Sequence, residues 1–172
     1  TVGDWVYVKY YNKQTFAIIH DILPRKSLLK RKTSGKTIEY QLIAANIDTA
    51  FIIQSLDVDF NIPRLERYLV MVNESNITPV ILLSKLDLIS SDNLKKKNFQ
   101  IQSTYPDYKI IAFSNLNSKG LNGIKNLIKP GQTYCLLGSS GVGKTTLLNR
   151  LTGKNMYKTG EVRKKDGKGM HV

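Results

Sequence analysis

The sequence predicts an α/β fold with a mostly parallel sheet, preceded by part of a small β-barrel. Three observations carry this. Short, nearly continuous apolar runs alternate with helical segments from about residue 38 onward, the pattern of a parallel sheet covered on both faces. The first 37 residues are instead rich in β-branched and aromatic residues without helical spacing. A glycine-rich turn near the end of the chain lies between a buried strand and a helix start.

Trp5-Val6-Tyr7-Val8-Lys9-Tyr10 and Thr15 through Leu23 read as strands, with Tyr11-Asn12-Lys13-Gln14 as the turn between them. Two strands alone are marginal, so they belong to a larger barrel. Thr1-Val2-Gly3-Asp4-Trp5 carries no leader and reads as the middle of a domain. Pro24 and the basic stretch Arg25 to Lys36 read as a boundary and linker. The division expected is a partial barrel with its linker over 1–37, and an α/β domain over 38–172, incomplete at its C-terminal end.

In that second part the strands are expected at Thr49–Gln54, Pro79–Leu83, Lys109–Phe113 and Gln132–Leu137. The helices are expected at Pro63–Asn73, Asp92–Thr104, Leu121–Ile128 and Lys144–Leu151. Asn61 can cap the first helix, with Pro63 in its first turn. Ligands of such sheets bind beyond the carboxyl ends of the strands. The segments after Leu83, Phe113 and Leu137 therefore converge on one crevice.

Composition narrows the partners. The 172 residues carry 26 Lys and Arg against 13 Asp and Glu, a net charge of +13. The cations cluster at Arg25–Lys36, at Lys95-Lys96-Lys97 and at Arg163–Lys168. Such an excess points to a polyanion, with RNA favoured over a membrane because no basic amphipathic helix appears. No apolar run approaches the roughly 18 residues of a membrane span. The single cysteine, Cys135, rules out an internal disulfide framework, and its place in a strand marks it as a buried thiol. With His20 and His171 far from it in sequence, a structural zinc site is not expected within the chain. The expected setting is cytoplasmic and the expected state monomeric.

Gly138-Ser139-Ser140-Gly141-Val142-Gly143-Lys144-Thr145 satisfies the phosphate-loop pattern in full, with Thr146 following. Glycines let the backbone approach an anion, successive N–H groups point at it, and the helix beginning at Lys144 adds its positive end. Lys144 is placed to reach the outer phosphates, and the Thr145 hydroxyl to hold a magnesium ion bridging them.

A second element lies upstream. Val80-Ile81-Leu82-Leu83 runs into Ser84-Lys85-Leu86-Asp87, which resembles the N/T-K-x-D guanine-reading element of GTPases. An Asp87 carboxylate can accept from two guanine N–H groups, whereas adenine would leave it unpaired. The Lys85 stem can lie along base and sugar. Ser84 stands where Asn is usual and reaches less far. Ile110-Ile111-Ala112-Phe113 then leads to Ser114-Asn115, where GTPases brace the guanine oxygen with Ser-Ala.

Base-reading element, bracing loop, then phosphate loop is a circular permutation of the ordinary GTPase order. In this order and in these residues the chain resembles the RsgA family of circularly permuted, small-ribosomal-subunit-dependent GTPases. Thr1–Val6 and Ile22–Ser27 resemble that family's OB-fold barrel and its exit. Ala44–Asp48 resembles the entry to its GTPase domain, and Arg67-Tyr68-Leu69 its first helix. Gly160-Glu161-Val162 and Gly167–His171 resemble the start of its first switch, with Met170 where Arg is usual.

The resemblance implies GTP and GDP as ligands and GTP hydrolysis stimulated by the small ribosomal subunit, in that subunit's maturation. It implies contact of the OB barrel with rRNA, and a C-terminal zinc domain not expected within this chain. Asp166-Gly167-Lys168-Gly169 satisfies D-x-x-G as a string but follows no apolar strand and reads as a turn. His171 is the one candidate for orienting water, and this chain is expected to bind nucleotide but turn it over poorly. Two other readings remain open from the residues alone: an ATP-binding phosphate-loop ATPase, and an rRNA-binding module in which the nucleotide is structural.

Overall fold

A central strand with partners on both edges organises the second half of the molecule, seen in a computed structural model that describes residues 1–11, 15–33, 39–154 and 157. Two antiparallel hairpins come first: β1 (Val6–Tyr11) with β2 (Phe16–Ile22), and β3 (Leu28–Lys32) with β4 (Tyr40–Ala45). Four parallel strands follow: β5 (Thr49–Ser55), β6 (Thr78–Ser84), β7 (Lys109–Ala112) and β8 (Tyr134–Leu137), in the order β7-β6-β5-β8. Helices α1 (Ile62–Asn73), α2 (Ser91–Thr104), α3 (Leu121–Lys125) and α4 (Lys144–Thr152) alternate with them.

The sheet buries both faces, and strand alternation sorts its residues. Ile52, Ile81 and Leu83 face one way, in a cluster with Leu65, Leu69 and Val72 of α1 and Ile101 of α2. Their neighbours Phe51, Ile53, Val80 and Leu82 face the other, with Leu121 and Ile124 of α3 and Leu147 of α4. Each such side chain, fully buried, contributes about 1.5–3 kcal/mol. The uninterrupted apolar runs of β5 and β6 are the consequence of burial on two sides.

Helix starts follow local chemistry. Asn61 accepts from the Arg64 amide at 2.9 Å and Pro63 sits in the first turn of α1. Ser90 caps α2 by accepting from the Asn93 amide. The expected third helix is shorter than read: α3 ends at Lys125 and closes in tighter turns, with Leu127 and Ile128 amides donating to Ile124 and Lys125 carbonyls.

Part of the stretch read as a basic linker is paired β structure. Leu28–Lys32 is a strand, and the expected division at residues 37 and 38 falls between two paired strands. Leu29 and Ala44 of this hairpin are buried in the α1-side cluster. The junction is tied by Asn46, at φ 57°, whose amide nitrogen Nδ2 donates to Gly3 O at 2.8 Å and whose Oδ1 accepts from the Lys26 amide at 2.9 Å. The hairpins fit part of an OB-like barrel. Among the described residues, no helix is long and apolar enough to cross a membrane.

Candidate functional site

Loops at the carboxyl ends of β5, β6, β7 and β8 share one edge of the sheet, because all four strands run parallel. The glycine loop leaves β8 and ends in α4. Gly138, at φ 149°, passes so close to β5 that an added Cβ would lie 2.5 Å from Ile53 O. Gly143, at φ 95°, caps α4, and an added Cβ would lie 2.8 Å from Asn115 Nδ2. A side chain at Gly138 would collide with the β5 backbone, and at Gly143 the left-handed φ disfavours any residue with a Cβ. Val142 is buried in the α4-side core and anchors the loop from below.

Lys144 is the first residue of α4 and curls back over the loop. Its Nζ donates to Gly138 O at 2.9 Å and Ser139 O at 2.7 Å. Burial pushes its pKa below the ordinary lysine value of 10.5. A half-buried ammonium among carbonyl oxygens, at a helix N-terminus, fits an anion such as a phosphate. Thr145 and Thr146 follow on the first turn of α4. Among the described residues, no three His, Cys, Asp or Glu side chains gather to hold a metal ion. A metal here would therefore take ligands from the phosphates as well as from the chain.

The Ser84–Asp87 element continues from β6. Ser84 is fully buried and its hydroxyl has no hydrogen-bond partner among the described residues. Lys85 adopts a left-handed backbone, φ 60° and ψ 40°, which breaks the strand and turns it into a 3-10 turn over Leu86–Leu88. The Leu86 amide donates to Phe113 O at 3.1 Å, holding the element against the end of β7. Asp87 accepts from the Ser114 hydroxyl, and Ser114 in turn accepts from the Leu116 amide at 3.1 Å. The exposed Asp87 carboxylate is thus oriented through Oδ1 by the loop after β7.

Asn115 extends the same loop to the phosphate side. Its Nδ2 donates to Gly143 O at 3.2 Å. Its Oδ1 is buried and, like the Ser84 hydroxyl, has no partner among the described residues. Buried polar atoms without partners are uncommon in a folded chain and fit a polar ligand. The structure therefore brings together Ser84, Lys85, Leu86, Asp87, Ser114, Asn115 and the loop Gly138–Thr146. His171 and the string Asp166–Gly169 lie outside the described residues.

Two residues went unread in the sequence. Asp57 and Asp59 sit in the loop after β5, where Asp57 Oδ2 meets Lys85 Nζ at 2.6 Å and Asp59 Oδ2 meets Ser139 Oγ at 2.7 Å. Burial opposes ionisation of Asp57, but Lys85, the Ser55 hydroxyl and the Asp59 amide together hold its pKa below 3.8. The rule that ligands sit beyond strand ends, applied to Gln54 as to Leu83, would have found this loop. A cleft of about 370 Å³ opens at the opposite, amino ends of the strands, beside Lys26, Asp48, Thr49 and Thr78. None of the residues lining it is a glycine or begins a helix, unlike the loop that leads into α4 at the carboxyl edge.

Comparisons with known proteins give the family and the fold. The model of the RsgA GTPase family matches residues 22–172. The small ribosomal subunit biogenesis GTPase RsgA 2 of Vibrio parahaemolyticus is 43% identical over 172 residues, 100% of this chain and 46% of that protein. The small ribosomal subunit biogenesis GTPase RsgA of Methanosarcina acetivorans is 42% identical over 171 residues, 99% of this chain and 46% of its own length. The chain thus spans about half the length of the curated relatives it matches. Among solved structures, YjeQ from Thermotoga maritima superposes with a TM-score of 0.70 at 25% identity, covering 98% of this chain and 58% of that one. YloQ, described as a circularly permuted GTPase, superposes at 0.61 and 25% identity over 86% of this chain and 48% of its own. A permuted order of motifs, a parallel sheet that gathers them on one edge and a family model over most of the chain lead to one assignment: this chain belongs to the RsgA GTPase family.

Proposed function

We propose that the chain binds GTP and GDP as the nucleotide-holding part of a GTPase acting in small ribosomal subunit biogenesis. The observation that carries the reading is the meeting of two motifs. An oriented Asp87 carboxylate and a glycine loop with a half-buried lysine stand at the carboxyl ends of β6 and β8, the two strands that flank β5 in one sheet. Gly138 through Lys144 hold the phosphates, Thr145 holds magnesium together with them, and Thr146 lies near the α-phosphate. Asp87 reads guanine through its N–H groups, with Lys85 along the base and Ser84, Leu86, Ser114 and Asn115 in support.

Hydrolysis to GDP and phosphate belongs to the whole protein, with the small ribosomal subunit and its rRNA as partners and the cytoplasm as setting. The names of the relatives support this, as does the excess of cations over the hairpins. The exposed hairpin face is proposed as the rRNA contact and a monomer as the working state. Zinc is proposed only for a part of the whole protein outside this chain.

Titration with labelled GDP and labelled ADP tests the reading. GDP should bind at least tenfold tighter, and equal or tighter ADP binding would return the site to the ATPase class. Asp87→Asn should move preference from guanine toward xanthine, because an amide supplies a donor where the carboxylate accepted. Turnover of the full-length protein should rise when small ribosomal subunits are added; a flat response favours an RNA-binding module with a structural nucleotide.

A further inference from the structure

Sheet order gives the loop after β5 a place that no motif announces. β5 lies between β6 and β8, so its loop lies between the base-reading element and the glycine loop. Two acidic residues in it, two positions apart, turn to opposite neighbours. Asp57 pairs with Lys85 at 2.6 Å on the base side, and Asp59 accepts from Ser139 at 2.7 Å on the phosphate side.

The loop is braced internally. Asp57 Oδ1 accepts from Ser55 Oγ at 2.6 Å and from the Asp59 amide at 3.0 Å. Gln54 Nε2 donates to Asp59 O at 2.9 Å, and Arg64 pairs with Asp59 Oδ2 at 2.8 Å. These contacts hold both carboxylates at a set spacing. Lys85 needs such an anchor: its backbone is left-handed, and its long stem carries free rotors that binding must otherwise still. An ion pair in place before the ligand arrives removes that cost from binding.

Resting on the guanine-nucleotide reading, we infer that Asp57 and Asp59 are positioning residues for the nucleotide, Asp57 fixing Lys85 beside the base and Asp59 fixing Ser139 in the phosphate loop. One loop then sets the spacing between the two halves of the site. Neither carboxylate touches the ligand itself.

The test is a double-mutant cycle on labelled-GDP affinity, with Asp57→Asn, Lys85→Met and the pair. Asp57→Asn should weaken GDP by about tenfold, about 1.4 kcal/mol of lost preorganisation. The pair should bind within about twofold of Lys85→Met alone, since Asp57 acts only through that lysine. Asp59→Asn gives an independent arm: it should weaken GDP more than GMP, whereas Asp57→Asn should weaken both by the same factor. A purely structural loss would not produce that split, and thermal unfolding identifies a variant that fails to fold, in which case the other arm decides. An Asp57→Asn affinity within twofold of the unmodified chain, losses that multiply in the pair, or equal GMP and GDP losses for Asp59→Asn would overturn the inference. The unmodified chain separates the two readings. If it does not prefer GDP over ADP, the guanine reading fails; if it does and the variants are neutral, only the positioning role fails.

Discussion

Strands β2 and β5 have the same length, seven residues each, and opposite surroundings. Every residue of β2 is exposed, whereas β5 is buried from Ala50 to Ser55. Trp5 is 71% exposed, Tyr7 63% and Ile19 61%, while Ile52 and Ile81 are at 0%. Both regions are β by propensity, but they are held differently. The sheet is held by side chains interlocked above and below it; the first hairpin is held mainly by backbone pairing, and the second adds Leu29 and Ala44 in the α1-side cluster and the polar junction at Asn46. The difference matches their proposed tasks. A nucleotide site needs groups fixed within fractions of an ångström, which a buried sheet supplies. An exposed aromatic and cationic face, with Lys9 over Tyr11 and Lys30 over Tyr40, suits a large polyanion contacted by many weak groups.

The sharpest way to break this contrast is through the core. Ile81→Ala should cost about 2–5 kcal/mol in urea unfolding, and Ile19→Ala in β2 less than about 0.5 kcal/mol. Equal costs would mean the hairpins carry as much packing as the sheet. Lys144→Ala should come next, weakening labelled GDP by roughly ten- to hundredfold, or about 1.5–3 kcal/mol. Its folding stability should be unchanged or slightly raised, because burial already disfavours the charged ammonium.

A smaller effect belongs to the hairpin. Removing Lys30, Arg31 and Lys32 should flatten the salt dependence of single-stranded RNA binding by about 0.7 per cation lost, while GDP affinity stays put. A matched loss of GDP affinity would join the two regions functionally. The smallest effect is in acid. Asp57 has a folded pKa below its ordinary 3.8, so its contribution to stability is complete above that value. It is lost as the pH falls through the lower, folded pKa, and Asp57→Asn should show a flatter fall in acid unfolding curves.

The sheet strands were legible because burial on both faces leaves an uninterrupted apolar run, as in Val80–Leu83. Strand β3 was not, because only Leu29 is fully buried and Lys30-Arg31-Lys32 stand in solvent. Its strand character comes from pairing with Tyr40–Ala45 across the chain, and a charged exposed strand looks like a linker in sequence. The glycine-loop motif was legible because its pattern is a spacing within eight positions, and the structure places it between β8 and α4. Asp57 and Asp59 were not, since a carboxylate in a loop after a strand reads as an ordinary solvated charge.

Local spacing therefore determined the glycine-loop motif, the Ser84–Asp87 motif and the permuted order that marks the family. These are properties of short segments, and the covalent chain alone sets them. Which segments become neighbours was decided only by the tertiary structure. Placing β5 between β6 and β8 puts Asp57 against Lys85 and Asp59 against Ser139, across 28 and 80 positions of sequence. Long-range strand pairing has no local signature, and it is what turns two separate motifs into one site.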